Sequence, residues 1–129
     1  MSRSGSLLIV EDERLLSASL RLHFSSLGVE VTVAGSVAEG RSRLERARFD
    51  VCLLDLGLPD GDGLSLIDSL PIERSIVITA VPDPARLAAA GVRHVIPKPF
   101  DLDAVTSAVF AMGVGQHRRT AISEERDNA

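Results

Sequence analysis

Two carboxylates follow the first strand-like apolar run of the sequence. The run LLIV leads directly into Glu11 and Asp12. A dinucleotide or flavin phosphate site at this place needs glycines or hydroxyl groups, because adjacent carboxylates repel a phosphate unless a metal ion lies between them. Asp12 also has a simpler interpretation as the cap of the following helix, with Glu13 complementing the helix dipole. The pair therefore indicates either a cation site or a capped helix.

Three further polar side chains follow later apolar runs. Asp55 ends VCLLD, Thr79 ends IVIT, and Lys98 lies in IPKPF as the only lysine among fourteen basic residues. A single lysine in an arginine-rich chain favours a site that requires a compact ammonium.

Together these groups would form a site with a definite chemistry. Carboxylates at ~4 Å separation repel by about 4 kcal/mol at an effective dielectric constant of 20, so a cluster needs a cation. Oxygen ligands suit Mg²⁺, with Mn²⁺ as the alternative. A carboxylate beside such an ion, a hydroxyl and an ammonium is suited to attack phosphorus and to form an aspartyl phosphate.

The elements that must position these groups alternate along the chain. Apolar runs near 7–10, 29–33, 51–54, 76–78 and 92–96 are typical of strands buried on both faces of a parallel sheet. Helical patterns lie between them and begin at signals such as Ser36-Val37-Ala38-Glu39 and Asp83-Pro84. The alternation predicts an α/β fold, an open doubly wound five-stranded parallel sheet with five helices. Such sheets place their sites at the carboxyl ends of the strands, where all the polar groups above occur.

Composition limits the remaining function classes. The 129 residues are 45% hydrophobic and 25% charged, which predicts one globular domain over 5–115 and a polar tail or linker over 116–129. The net charge of -4 argues against direct binding of nucleic acid. No apolar run approaches the ~18 residues of a membrane span. The single Cys52 excludes an internal disulfide and favours a cytoplasmic location.

The segments LLIVEDE, LLDLGLPDGDG, IVITA and IPKPF resemble, in order and placement, the receiver domain of bacterial two-component response regulators. This CheY-like resemblance covers about residues 5 to 115. It implies a flavodoxin-like sheet of strand order 2-1-3-4-5 and phosphorylation at Asp55. It also implies a sensor histidine kinase or a phosphotransfer protein as donor, with a homodimer as a further assembly.

The same resemblance assigns the surrounding residues. Asp12, Asp55 and the backbone carbonyl of Gly57 would bind Mg²⁺ directly, and Glu11 would act mostly through water. Thr79 and Lys98 would contact the phosphoryl group. The bond from Lys98 to the following proline would be cis.

Three features depart from the family pattern. Val95 occupies the fifth-strand position where receivers usually carry an aromatic residue, and valine cannot make the rotation that couples Thr79 to the outer face. The segment from Asp55 to Thr79 is short, which predicts a trimmed third helix and loop. The segment from Thr79 to Lys98 is also short, which predicts a fourth helix reduced by about one turn.

The resulting function is a phosphorylation-controlled switch, which catalyses only phosphoryl transfer to its own aspartate and the hydrolysis of that phosphate. Val95 and the short fourth helix motivate a phosphorylation-independent protein-binding module as the alternative. A metal-dependent phosphohydrolase with an aspartyl nucleophile is a third candidate. It is disfavoured because such enzymes usually carry a second carboxylate two residues after the nucleophile, where this chain has Gly57.

Overall fold

A parallel five-stranded sheet forms the centre of the computed structural model, which describes residues 5–114. The predicted tail, 116–129, lies outside the described residues. The strands are β1 (Ser6–Val10), β2 (Glu30–Ala34), β3 (Val51–Asp55), β4 (Gly57–Leu58), β5 (Gly61–Asp62), β6 (Ser75–Thr79) and β7 (Val95–Pro97). The main sheet has the order β2-β1-β3-β6-β7, and all its neighbouring strands are parallel. Because β4 and β5 form a separate antiparallel pair, this order is the predicted 2-1-3-4-5.

Helices cover both faces of the sheet, so the predicted fold class is confirmed. The helical elements are α1 (Arg14–Ser26), α2 (Val37–Arg46), a 3₁₀ segment (Gly63–Ser69), a 3₁₀ turn (Ile72–Arg74), α3 (Pro84–Ala89) and α4 (Leu102–Ala111). The predicted third helix is therefore a 3₁₀ segment rather than an α-helix. Its seven residues begin at Gly63, which packs against the backbone of Asp55, and they close in i→i+3 turns. The predicted fourth helix is α3, which has six residues, as the short sequence segment implied.

The helix boundaries follow the capping signals of the sequence. Ser36 accepts a hydrogen bond from the Glu39 amide at 3.1 Å, and Glu39 accepts one from the Gly35 amide at 2.6 Å. Asp83 caps α3 through the Arg86 amide, with proline at the first helical position. α1 and α3 both end at a glycine with positive φ, Gly28 and Gly91, as in a Schellman motif.

Alternate side chains of the central strands enter two separate apolar layers. Leu7 and Ile9 pack in the layer that includes α1 and α4, whereas Leu8 and Val10 pack in the layer beneath α2, the 3₁₀ segment and α3. Burying each such side chain contributes about 1.5–3 kcal/mol. The two edge strands, β2 and β7, are half-exposed, so burial on both faces holds only for the central strands.

The last strand begins later than the predicted 92–96. The Val92 amide bonds to the Leu87 carbonyl at 3.0 Å and closes the end of α3, so Val92 belongs to the helix cap. Pairing starts where the Val77 amide bonds to the His94 carbonyl at 2.9 Å. Among residues 5–114, no helix combines the length and apolar character needed to cross a bilayer.

Candidate functional site

Four parallel strands deliver the predicted site residues to one cavity. Glu11 and Asp12 follow β1, and Asp55, Thr79 and Lys98 come from the carboxyl ends of β3, β6 and β7. All five line a cavity of about 640 Å³, and Gly57 lies in its wall. The geometry predicted from the strand ends is therefore present.

Three carboxylates meet in this cavity. One oxygen each from Glu11, Asp12 and Asp55 lies within 4.8 Å of the other two. Glu11 and Asp55 are buried, at 4% and 7% exposure, whereas Asp12 is exposed. Two charges 4.8 Å apart repel by about 3.5 kcal/mol at an effective dielectric constant of 20, so the cluster is suited to a divalent cation.

Asp12 does not cap the first helix. The N-cap of α1 is Glu13, which makes no side-chain cap hydrogen bond. The Asp12 carboxylate has no hydrogen bond or ion pair in the part of the chain that the structure describes. The simpler interpretation of Asp12 is therefore wrong, and its carboxylate remains available to a ligand in the cavity.

Lys98 connects two of the carboxylates. Its Nζ donates to Glu11 Oε1 at 3.1 Å and to Asp55 Oδ2 at 3.2 Å, with the side chain 22% exposed. The Lys98 backbone amide donates to the Thr79 carbonyl at 2.8 Å, which ties this residue to the end of β6. The Lys98–Pro99 bond is cis, as the resemblance implied. The ammonium is thus held on the side of Asp55 that faces Glu11.

The charges of this site shift two pKa values. Burial raises the pKa of Glu11, the Glu13 amide opposes this, and the Asp55 charge adds to the rise while Lys98 opposes it. Burial alone would lower the pKa of Lys98, but its hydrogen bonds to Glu11 and Asp55 and their charges outweigh burial and raise it. The lysine therefore stays protonated through the physiological range.

Asp55 is fixed by the turn that follows it. Its Oδ1 accepts a hydrogen bond from the Gly57 amide at 3.2 Å. The later part of the same turn passes directly beneath Asp55, because a Cβ at Gly63 would lie 2.6 Å from the Asp55 carbonyl oxygen. A side chain does not fit at that separation, so glycine is required at 63 for the turn to close under the site.

Thr79 presents a hydroxyl to the cavity. Its Oγ accepts a hydrogen bond from the Val81 amide at 3.2 Å, and the residue is 6% exposed. The hydroxyl hydrogen has no acceptor among residues 5–114. Thr79 can therefore donate to an oxygen bound near Asp55.

The cavity wall also contains residues that were not predicted as part of the site, among them Asp62 and Arg86. Asp62 and Arg86 form an ion pair and both line the cavity. The Asp62 carboxylate caps the 3₁₀ segment, because it accepts a hydrogen bond from the Leu64 amide at 3.0 Å. Arg86 carried no signal beyond its place in the first turn after Asp83.

Two other residues considered in the sequence, Val95 and Cys52, lie outside the cavity. Val95 is paired with Val77 across β6 and β7 and is 37% exposed, so a short aliphatic side chain occupies the position where receivers usually carry an aromatic residue. Cys52 is buried, and burial raises the pKa of its thiol to about 12. Cys52 therefore acts as a small hydrophobic residue of the apolar layer around Leu8 and Val10.

Comparison with known proteins gives a consistent assignment. The model of the response regulator receiver domain matches residues 7–110. The chain is 37% identical over 116 residues to the transcriptional activator protein PfeR of Pseudomonas aeruginosa, an alignment that covers 83% of this chain and 38% of PfeR. The chain spans about half or less of the length of the curated relatives it matches.

Solved structures share the fold. The receiver domain of the Francisella response regulator 1452 superposes with a TM-score of 0.75 at 23% identity, covering 90% of this chain and 98% of that one. TrrA of Thermotoga maritima, solved in complex with Mg²⁺-BeF, superposes with a TM-score of 0.72 at 20% identity, covering 83% and 97%.

Proposed function

The chain belongs to the response regulator receiver domain family, and on that premise we propose that Asp55 is the residue on which it is phosphorylated. Receiver domains of this family interact with histidine kinases or phosphotransfer proteins. The observation that carries the proposal is the position of Asp55, whose carboxylate shares Lys98 with Glu11 inside the acidic cavity.

The phosphoryl group comes from a phosphohistidine of the donor. An Asp55 oxygen attacks phosphorus, an O–P bond forms as the N–P bond breaks, and the departing imidazole nitrogen keeps the electron pair and takes up a proton. Lys98 neutralises charge on the transferred group, and its raised pKa keeps it cationic while it does so. Thr79 donates its hydroxyl hydrogen to a phosphoryl oxygen. Activity is limited to this transfer and to the hydrolysis of the aspartyl phosphate.

The carboxylate cluster fits Mg²⁺, with Mn²⁺ as the alternative, because its oxygens are hard ligands within 4.8 Å of one another. Asp12, Asp55 and the Gly57 carbonyl would hold the ion directly, and Glu11 would hold it through water. When bound, the ion neutralises charge on the phosphoryl oxygens. The Mg²⁺-BeF complex of TrrA supports a magnesium-dependent site on this fold.

Phosphorylation changes the loop after β6. Thr79 now uses its oxygen to accept from the Val81 amide, and turning its hydroxyl toward a phosphoryl group alters that contact. The loop and the short α3 helix behind it then shift population between two packings. The phosphorylation-independent binding module is not favoured, because the acidic cluster, Thr79 and Lys98 are all in place.

The wider assignments stay predictions. They are the domain limits of 5–115, a sensor histidine kinase or phosphotransfer protein as donor, a homodimer, no direct contact with nucleic acid or membrane, and a cytoplasmic location. PfeR is a transcriptional activator, and we propose that any such output of this receiver is carried by segments or partners other than residues 5–114.

The proposed function is tested by intact-mass spectrometry after incubation with Mg²⁺ and acetyl phosphate. The wild-type chain should gain one phosphoryl group, and chelation of the metal should prevent the gain. Asp55→Asn should remain unmodified, whereas Asp68→Asn, which removes an exposed carboxylate outside the cavity, should be modified like wild type. An unmodified wild-type chain, or a modified Asp55→Asn chain, would contradict the proposal.

A further inference from the structure

An ion pair lies in the wall of the cavity that contains the phosphoacceptor. Arg86 of α3 binds Asp62 at the end of the β4–β5 hairpin, and both line the same cavity as Asp55 and Lys98. The two side chains are 48% and 46% exposed. Neither residue has a part in the phosphoryl chemistry described above.

The two partners differ in how firmly they are held. Asp62 is anchored, because its Oδ1 also accepts the Leu64 amide at the start of the 3₁₀ segment. Arg86 has a long flexible side chain on a helix of six residues that follows Thr79 by a short loop. An exposed ion pair of this kind contributes little to stability, so the guanidinium can leave Asp62 at small cost.

Phosphorylation of Asp55 would place a stronger partner in the same cavity. A phosphoryl group carries about two negative charges and three acceptor oxygens, and the planar guanidinium fork matches that geometry better than an ammonium does. Glu11, Asp12 and a phosphorylated Asp55 would carry about four negative charges, whereas Mg²⁺ and Lys98 supply three positive ones. One further cation would balance the site.

We propose that Arg86 is a second phosphoryl-binding cation, which exchanges Asp62 for the phosphoryl group when Asp55 is phosphorylated. The inference rests on the proposed function. Because Arg86 belongs to α3, the exchange releases that helix from the hairpin and draws it toward Asp55. The exchange thereby couples phosphorylation to the outer face by a route that does not require an aromatic residue at Val95.

The test uses Mg²⁺ with beryllofluoride as the probe and titration calorimetry of the full chain as the measurement. Arg86→Gln should weaken binding of the probe about tenfold, the loss expected for one charge-assisted hydrogen bond. Asp62→Asn should strengthen binding a few-fold, since it releases the guanidinium. Arg93→Gln, which removes an exposed positive charge outside the cavity, should bind like wild type.

A double substitution separates partner exchange from a general charge effect. In an Arg86→Gln background, Asp62→Asn should no longer strengthen binding, because Asp62 acts only through Arg86. The Arg86 Nε–Hε resonance should also shift when the wild-type chain binds the probe. Melting temperatures of the variants without the probe establish that each one is folded.

The outcomes separate the two proposals. If wild type binds the probe and Arg86→Gln binds it equally well, or if the Arg86 resonance does not move, the role of Arg86 is refuted and the phosphoacceptor stands. If Asp62→Asn strengthens binding equally in both backgrounds, the exchange is refuted in favour of a general charge effect. If wild type neither binds the probe nor accepts a phosphoryl group, both proposals fail.

Discussion

Replacing Asp12 by Asn should weaken Mg²⁺ binding strongly and leave the stability of the metal-free chain almost unchanged. The Asp12 carboxylate is exposed and has no partner among the described residues, so its loss should change the free energy of unfolding of the metal-free chain by no more than about 0.5 kcal/mol. The sign should be slightly stabilising, because the substitution removes repulsion with Glu11 and Asp55 inside a 4.8 Å cluster.

The effect on magnesium should be much larger. At a Mg²⁺ concentration one hundred times the wild-type Kd, the ion stabilises the folded chain by about 2.7 kcal/mol. Asp12 is one of two carboxylates proposed to bind Mg²⁺ directly. Loss of a residue that only supports a metal ligand weakens metal binding by about 10- to 100-fold, so loss of the ligand Asp12 should weaken Mg²⁺ binding by about 100-fold. The same concentration then stabilises the variant by about 0.4 kcal/mol. These values correspond to a rise in Tm of about 10 °C for wild type and about 2 °C for the variant.

Thermal unfolding followed by calorimetry or circular dichroism, with and without Mg²⁺, measures both quantities. Asp68→Asn is the matched control, because it removes an exposed carboxylate beside Pro71, in a separate cavity. Its response to Mg²⁺ should equal that of wild type. A wild-type chain whose Tm does not respond to Mg²⁺, or an Asp12→Asn chain that responds fully, would refute the assignment of Asp12 as a ligand.

Further predictions concern the core of the site. Lys98→Met leaves the buried carboxylates of Glu11 and Asp55 without their cation, so it should lower the free energy of unfolding by about 2–3 kcal/mol. Added Mg²⁺ should partly reverse this loss. An unchanged midpoint of urea unfolding would contradict the prediction. The pKa of Glu11 in the folded chain is raised above its ordinary 4.5. Between pH 4.5 and the raised pKa, the native state therefore binds more protons than the unfolded state does. The free energy of unfolding should fall as the pH rises through this window. Urea unfolding at a series of pH values measures this pH dependence, which should be absent in Glu11→Gln. A pH dependence that persists in Glu11→Gln would show that another group causes it. Gly63→Ala places a Cβ 2.6 Å from the Asp55 carbonyl and should destabilise by about 1–3 kcal/mol, whereas Gly57→Ala meets nothing within 4 Å and should change stability by less than about 0.5 kcal/mol. Equal denaturation midpoints for the two glycine variants would show that the close approach at 63 is absent.

The sequence predicted the convergence of the polar residues at the strand ends better than it predicted the elements around them. In a parallel sheet, the carboxyl ends of all strands lie along one edge, so a polar residue after each apolar run is enough to place Asp55 near Lys98. The order of the strands is a different matter. Alternation predicts a parallel sheet, but the order 2-1-3-4-5 came from the family resemblance.

The errors have local physical causes. The run beginning at Val92 resembles a strand because Val92, Val95 and Ile96 are apolar and β-branched, yet its first amide closes the Schellman motif of α3. The third helix has a helical pattern, but its seven residues, which begin at the close backbone contact of Gly63, form 3₁₀ turns rather than an α-helix. Hydrophobic spacing shows neither a backbone hydrogen bond nor a close backbone contact, so it predicted neither difference.

The ion pair between Arg86 and Asp62 could not be predicted from the sequence, for a different reason. Asp62 has a local role as a helix cap, and Arg86 follows an ordinary helix start. Their contact depends on how α3 sits relative to the β4–β5 hairpin, which is a tertiary property. Sequence patterns assign residues to faces and ends of elements, and they do not rank the pairings between surface side chains of different elements.

The most direct test of the central claim is chemical identification of the phosphorylated atom. Borohydride reduces an aspartyl phosphate to homoserine, so treatment of the phosphorylated chain followed by tandem mass spectrometry locates the modified residue. The account predicts homoserine at position 55 and at no other position. Homoserine at Asp12, Asp60 or Asp62, or its absence from a chain that has gained a phosphoryl group, would contradict the account.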